Sequence, residues 1–175
     1  VRRDGSSRFG ADHKWGTFPS VSVAWRIINE KFMEGTHSWL DNLKLRVGYG
    51  ITGNQNGVDP YKSLSVLSSA GASYYDAATG TWKNSYVQAQ NANPDLKWES
   101  TAQFNVGIDF GFLNRINGSL EFYHKKTSDL LWTYPVPQPP YLVGTMLANV
   151  GDMVNKGVEL TLGANIVRTK DFSLS

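Results

Sequence analysis

From Gln103 to Phe112 the chain alternates without a break. Phe104, Val106, Ile108, Phe110 and Phe112 take one set of positions, and Gln103, Asn105, Gly107, Asp109 and Gly111 take the other. Side chains of a strand point to opposite faces with period two, so the stretch predicts a strand with an apolar face and a polar, partly glycine face. The pattern recurs four times. Val21, Val23, Trp25 and Ile27 oppose Ser20, Ser22, Ala24 and Arg26, while Leu43, Leu45, Val47, Tyr49 and Ile51 oppose Lys44, Arg46, Gly48 and Gly50. Ile116, Gly118, Leu120 and Phe122 oppose Asn117, Ser119, Glu121 and Tyr123, and Val158, Leu160, Leu162, Ala164 and Ile166 oppose Gly157, Glu159, Thr161, Gly163 and Asn165. Five strands are predicted, and Val1 to Asp4 reads as the tail of a sixth. No stretch carries apolar residues at helical spacing, so the expected class is all-β, with antiparallel strands running up and down.

A tilted strand of about ten residues crosses a bilayer. The alternation leaves open whether the apolar faces meet lipid or a soluble core. The connections come in two sizes. Phe112-Leu113-Asn114-Arg115 is a tight turn, and Asn29 to Asn42 is a modest link with room for a helical turn at Lys31 to Met33. Thr52 to Ser100 and Lys125 to Lys156 are long and rich in Gly, Asn, Ser, Tyr and Pro. Short turns at one end and long loops at the other suit an outer-membrane barrel, although soluble sandwiches also gather their loops at the ends.

Composition narrows the classes. The 175 residues suffice for one domain and show no compositional break, and a net charge of +2 with scattered basic residues gives no field for nucleic acid. With no cysteine there are no disulfides or thiolate metal sites. No apolar run is long enough for a spanning helix, which leaves spanning strands as the membrane option.

The polar faces carry Arg26, Lys44, Arg46, Asp109, Glu121 and Glu159. Isolated burial of such charges in an apolar core costs several kcal/mol, so a wet lumen suits them, as does the solvated outside of a sandwich. Asp109 with Glu121, and Lys44 with a later acid, are candidates for cross-strand ladders whose register the sequence does not give. Trp25, Tyr49, Phe110 and Phe112 sit toward strand ends, where interfacial girdle residues belong.

In the long loops Tyr74, Tyr75, Trp82, Tyr86, Trp132, Tyr134 and Tyr141 offer flat rings, and Asn84, Gln88, Gln90, Asn91 and Asn93 offer amides. Together these suit stacking on sugars or holding a peptide; packing within the loops or against a partner is the plainer alternative. Pro135, Pro137, Pro139 and Pro140 predict a stiff, extended spacer.

Several apparent motifs carry no chemistry. Gly48-Tyr49-Gly50-Ile51-Thr52-Gly53 has dinucleotide-fingerprint spacing, but Asn54 to Pro60 cannot open the helix that would meet a pyrophosphate. Asn117-Gly118-Ser119 is a glycosylation sequon inside a predicted strand. His13, His37 and His124 are too dispersed for a local metal site, and Asp95 with Glu99 gives no defined carboxylate separation. No catalytic residue, metal or cofactor is assigned.

Longer blocks identify a family. Arg2-Arg3-Asp4-Gly5-Ser6-Ser7-Arg8-Phe9-Gly10 is followed by Trp15-Gly16-Thr17-Phe18-Pro19-Ser20-Val21-Ser22-Val23-Ala24-Trp25-Arg26. Then come Leu40-Asp41-Asn42-Leu43-Lys44-Leu45-Arg46-Val47-Gly48-Tyr49-Gly50 with Thr52-Gly53-Asn54-Gln55, and Asn93-Pro94-Asp95-Leu96-Lys97-Trp98-Glu99-Ser100-Thr101. Asn149-Val150-Gly151-Asp152-Met153 and Asn155-Lys156-Gly157-Val158-Glu159-Leu160 close the series. In this order, across nearly the whole chain, the blocks resemble the barrel portion of the SusC/RagA family of TonB-linked outer-membrane proteins.

The resemblance implies that residues 1–175 are part of a transmembrane barrel of about 22 strands with long extracellular loops, in the outer membrane of a Bacteroidetes-type bacterium. It also implies uptake of oligosaccharides or peptides with energy from TonB acting on an N-terminal plug, and pairing with a SusD-type surface lipoprotein. Neither a plug nor a TonB-contact segment occurs in the sequence, and Phe172 to Ser175 reads as a strand beginning after the polar turn Arg168 to Asp171, so the chain is expected to be a fragment. The competing readings are a soluble β-sandwich that binds carbohydrate and an envelope adhesin. By itself the segment is expected to form an open, twisted sheet with two unpaired edges.

Overall fold

The structure is a computed structural model that describes residues 1–165 and, in backbone only, 167–168 and 173–174. Its strands in chain order are β1 (Arg2–Gly5), β2 (Trp15–Phe18), β3 (Ser20–Arg26), β4 (Leu40–Asn54), β5 (Val66–Asp76), β6 (Thr81–Gln90), β7 (Glu99–Phe112), β8 (Ile116–Ser128), β9 (Leu131–Pro135), β10 (Thr145–Asn149), β11 (Met153–Ala164), β12 (Val167–Arg168) and β13 (Ser173–Leu174). Among the described residues helix is confined to short 3-10 turns at Ala11–His13, Ile27–Asn29 and Lys31–Thr36. The chain divides into two compact units.

One unit, residues 18–52, 101–126 and 153–175, is built on a five-stranded sheet of order β11-β8-β7-β4-β3. Neighbours in chain order are neighbours in the sheet, so the sheet is an open meander whose outer strands are β3 and β11. Val21 pairs with Tyr49, Val23 with Val47 and Trp25 with Leu45, which sets apolar residues opposite one another on one face. All five strands follow the sequence pattern; β4, β7 and β8 run beyond the alternating stretches, whereas β3 stops at Arg26 because Ile27 already belongs to a 3-10 turn, and β11 starts earlier, at Met153, and ends at Ala164. The 3-10 turn at Lys31–Thr36 is the expected helical turn, closed by the Thr36 hydroxyl donating to the Met33 carbonyl at 2.8 Å.

Little of this unit is buried. Phe18, Ile28 and Leu40 are covered near strand ends. Along the strands the apolar face is bare: Val23 is 64% exposed, Ile108 39%, Leu120 41% and Leu160 60%. A sandwich would bury this face against a second sheet about 10 Å away, and exposure along all five strands runs against that reading.

The other unit, residues 1–17, 53–100 and 127–152, has a conventional interior. Phe9, Val58 and Leu96 are almost fully buried, and Trp98 packs on Phe9 with ring centroids 4.8 Å apart. Gly10 fits where no other residue does: its N–H donates to the Leu96 carbonyl at 2.9 Å, and a Cβ there would lie 1.6 Å from the Pro94 carbonyl oxygen. The blocks around Phe9 and around Pro94 to Trp98, far apart in sequence, therefore form one packed body.

Three expectations are corrected. Arg2–Gly5 is a strand, but it pairs with β2 in a separate two-stranded sheet and is no sixth member of the main one. The long connections are not loops throughout, since the first holds the β5-β6 hairpin and the second the β9-β10 pair. The prolines do not form an extended spacer: Pro135 ends β9, and 138–140 form a turn at the hairpin tip. Ile166, Phe172, Ser175 and Thr169 to Asp171 of the expected turn lie outside the described residues, while Val167 and Arg168 pair antiparallel with Leu174 and Ser173.

Candidate functional site

The sheet's polar face is organised by one ion cluster. Arg46 on β4 sends Nε to Asp109 Oδ2 at 3.0 Å and Nη2 to Asp109 Oδ1 at 2.9 Å, a two-pronged contact with β7. The same Nη2 reaches Glu121 Oε2 on β8 at 3.4 Å, and Lys44 Nζ stands 3.9 Å from Asp109. Four of the six charges named from the sequence thus come together across three adjacent strands. Asp109 and Glu121 are not each other's partners, as like charges cannot be; Arg46 between them holds both. Arg26 lies directly across from Lys44 in the β3–β4 register, and Glu159 is on β11.

Glycines make room for this arrangement. A Cβ on Gly107 would come within 2.9 Å of the Arg46 guanidinium, so the missing side chain lets the arginine lie flat over β7. Near the other end of the polar face a cavity of about 330 Å³ is lined by Ser20, Ser22, Gly48, Gly50, Gln103 and Asn105 among others. Two glycines of the rejected dinucleotide pattern are therefore a hollow among hydroxyls and amides, the use expected of strand glycines where something approaches closely.

The loop aromatics divide between two hairpins. Tyr75 on β5 stands opposite Trp82 on β6 with ring centroids 5.4 Å apart, and Tyr86 follows Trp82 on the same side of β6 by strand alternation. Tyr74 pairs with Lys83 on the reverse side. Trp132 and Tyr134 share a side of β9, opposite Ala148 and Met146. Tyr74, Tyr75, Trp82, Tyr86 and Trp132 are at least half exposed, and Tyr134 is half-buried. At the hairpin tip Lys83 bonds Asp76 and holds its carboxyl below the usual carboxylate range, with help from Thr79 and the Ala78 N–H.

The amides read as ligand contacts are mostly committed to structure. Asn91 Nδ2 donates to the carbonyls of Val143 and Thr145, Asn93 Nδ2 to Leu147, and Asn149 Nδ2 to Lys97 and Asp129. These side chains stitch residues 91–97 along β10. Gln88 Nε2 donates to Gln90 O and Asn91 Oδ1, and Gln90 Nε2 to Tyr61 and Leu64. Glu99 accepts from Asn54 and from the Leu131 N–H, a connecting role with no catalytic partner.

The sequence reading missed a polar cleft of about 540 Å³ lined by Arg2, Arg3, Asp4, Asn54, Gln55 and Asn56 over Trp98. Arg2 to Asp4 and Asn54 to Asn56 lie about fifty residues apart, and no local pattern links them. Among the described residues no group of His, Asp and Glu has metal-site geometry.

The chain matches along its full length, residues 1–175, the family model described as TonB dependent receptor-like, beta-barrel. It is 43% identical to the TonB-dependent receptor SusC of Bacteroides thetaiotaomicron over 99% of its own length and 17% of that protein, and 37% identical to the TonB-dependent receptor P39 of Formosa agariphila over 99% and 16%. The solved structure of the RagAB peptide importer in its closed-closed state superposes with a TM-score of 0.82 at 32% identity, covering 98% of this chain and 18% of that one. The chain thus spans under a fifth of the length of these relatives. With the meander, the bare apolar face and the charged polar face, these matches establish that the chain belongs to the TonB-dependent receptor-like β-barrel family of the outer membrane.

Proposed function

We infer that this chain is part of the barrel wall of an importer whose polar sheet face, with Arg26, Lys44, Arg46, Asp109, Glu121 and Glu159, lines a wet lumen. Oligosaccharides or peptides are the substrates, TonB acting on a plug supplies the energy, and a SusD-type lipoprotein works with the barrel. The observation that carries this reading is the opposition of the two faces: apolar residues stand bare on all five strands while a partly exposed ion cluster spans three of them from behind. Charges on a lumen wall cost little, and apolar side chains facing acyl chains need no protein cover. The family match supports the importer role, and the RagAB structure, named as a peptide importer, supports peptide among the substrates of such barrels. Tyr74, Tyr75, Trp82, Tyr86, Trp132 and Tyr134 are the proposed substrate-contacting rings, and the chain carries no catalytic role.

Single cysteines test the lumen assignment in the full-length receptor on a cysteine-free background. Asn105→Cys and Ser119→Cys should react with a water-soluble maleimide, and Ile108→Cys and Leu120→Cys should react only with a lipid-soluble thiol probe. Equal labelling of both sets by the water-soluble reagent would overturn the reading. For the rings, Tyr75→Ala with Trp82→Ala should weaken substrate binding at least about fivefold, from a stacking contribution of about 0.5–1.5 kcal/mol per ring, read by calorimetry on the receptor with its lipoprotein.

A further inference from the structure

Next to the ion cluster the polar face of β3, β4 and β7 turns uncharged. Ser20 pairs with Gly50 and Ser22 with Gly48 across β3 and β4. A Cβ on Gly48 would lie 2.8 Å from Asn105 Oδ1, and one on Gly107 would lie 2.9 Å from Arg46 Nη2, so β4 and β7 run antiparallel with Gly48 beside Asn105 and Gly50 beside Gln103. Two rows therefore cross the three strands, Ser20-Gly50-Gln103 and Ser22-Gly48-Asn105. Each reads hydroxyl, glycine, carboxamide. The cavity of about 330 Å³ lies over these rows. One row further along stand Ala24, Arg46 and Gly107, and after them Arg26, Lys44 and Asp109, so the wall changes from uncharged to charged within a single step. On β8 the same face continues with Tyr123 and Lys125, neither of which lines the cavity.

The polar side chains of the two rows are uncommitted. Ser20, Ser22, Gln103 and Asn105 make no side-chain hydrogen bond among the described residues, in contrast to Gln88, Gln90, Asn91, Asn93 and Asn149, whose amides are all engaged within the protein. Ser20, Ser22 and Gln103 are exposed, and Asn105 is half-buried against Gly48. Their height on the wall follows from β4. Asp41, whose carboxylate accepts the Asn114 N–H, marks the end of β4 at the tight turn, and Gly48 and Gly50 lie seven and nine residues further on. At about 3.3 Å per residue and a tilt of about 35–45°, that is about 16–24 Å from the turn, in the half of the wall nearer the long connections, which in outer-membrane barrels is the exterior half. An incoming molecule meets these rows before it meets the ion cluster.

We propose that the two rows seat an uncharged, hydroxyl-rich unit of the imported molecule, a neutral sugar ring, and that Ser20, Ser22, Gln103 and Asn105 set a preference for neutral over charged substrates. The proposal rests on the reading of this face as the lumen wall and narrows what that wall accepts. Carboxamides and hydroxyls each donate and accept, as sugar hydroxyls do, so ring and wall can satisfy one another. Glycine at 48 and 50 lets the ring come down onto the backbone of β4, where a side chain would already meet Asn105 or Ser20. A carboxylate or ammonium in the same place would give up its hydration to walls that hold no countercharge, since Arg46 and Asp109 beside them are paired with each other. An apolar peptide side chain would cover the amides without pairing them. The volume stands at the small end of the range of about 300–1,000 Å³ for small-molecule sites, which suits one ring.

Binding by the full-length receptor with its lipoprotein tests the seat. The labelled complex is applied to one array of neutral oligosaccharides of glucose, mannose, galactose and xylose, of oligogalacturonates, and of random decapeptides. Neutral glycans should be retained, and uronates and peptides should not. For the tightest neutral ligand, Gln103→Ala with Asn105→Ala should weaken binding at least about fivefold, from about two- to twelvefold per hydrogen bond. Ser22→Trp, which fills the hollow, should abolish binding. Lys125→Ala should bind as wild type, whereas a seat for an anionic group would lose affinity with that lysine. Heat-modifiable mobility on gels shows which variants have folded. Asn105→Cys on a cysteine-free background separates the seat from the lumen reading: it should react with a water-soluble maleimide, and saturating neutral ligand should slow that reaction. No reaction would take down the lumen reading and the seat together, and reaction without protection would overturn the seat alone. Retention of uronates or peptides only, retention of nothing on the array, or unchanged binding by the folded double alanine variant would each overturn it as well.

Discussion

The unit around Phe9, Val58, Leu96 and Trp98 and the unit built on β3, β4, β7, β8 and β11 solve the same problem in opposite ways. In the first, large side chains are buried against one another to 8% exposure or less, and asparagines satisfy the backbone of irregular segments. In the second, backbone groups are satisfied strand to strand, and side chains such as Leu160 and Leu162 remain 60% and 63% exposed. Water is the reference solvent for the first. For the second it is hydrocarbon, in which a closed ladder of hydrogen bonds is required and an apolar surface needs no cover. The exposure that would mark an aggregation hazard in a soluble protein is here the surface a bilayer solvates.

Substitutions that ask which solvent governs each unit sharpen the contrast. The largest effect is expected for Phe9→Ala, which removes a ring packed on Trp98 and should cost about 3–5 kcal/mol. Hydrogen exchange across residues 91–98 of the full-length receptor would show that unit opening while the strands of the sheet stay protected. Next comes Leu160→Arg. Near the bilayer midplane it should cost about 2–4 kcal/mol in urea unfolding from vesicles, whereas Thr161→Arg, its neighbour on the polar face, should cost far less. Equal penalties would mean that the two faces do not see different solvents.

Asn93→Ala ranks third. The buried asparagine donates to Leu147 and accepts from the Asp95 N–H, so its loss should cost about 1–3 kcal/mol and raise exchange at residues 93–97 and 145–149. Arg46→Met is expected to cost only about 1 kcal/mol because its partners are partly hydrated. In a double-mutant cycle Asp109→Asn should add little once Arg46 is gone. The smallest effect is one of pH at the tip of β5-β6. Lys83 depresses the Asp76 carboxyl, so the contribution is present above the ordinary aspartate pKa of about 4 and is lost as pH falls through the lower folded value. Exchange at residues 76–83 should rise on acidification, and Asp76→Asn should abolish that rise.

The two units were not equally legible in the sequence. Alternation displayed the strands of the sheet because each side chain there has one fixed solvent, so period two survives over long runs. Val66 to Gln90 hid a hairpin because it is exposed on both sides and broken by register shifts near Leu67, Ala72 and Tyr74. No face of it demands an apolar set. The role of Asn91 and Asn93 was misread because an amide looks the same whether its partner is a ligand or a carbonyl more than fifty residues away. Arg46, Asp109 and Glu121 were each placed on the right side of their strands, but their meeting was not visible, since alternation gives the face of a residue and says nothing of which residue stands beside it.

The order of polar and apolar positions by itself determined the all-β class, the five strands of the sheet and their opposed faces, because those follow from the two-residue repeat of an extended backbone, while the family blocks decided for the barrel. Register, the joining of the Phe9 and Trp98 blocks and the glycine under Arg46 were decided only in the tertiary structure. Each depends on contacts between residues distant in the chain, and their free energy resides in distances that no local pattern encodes.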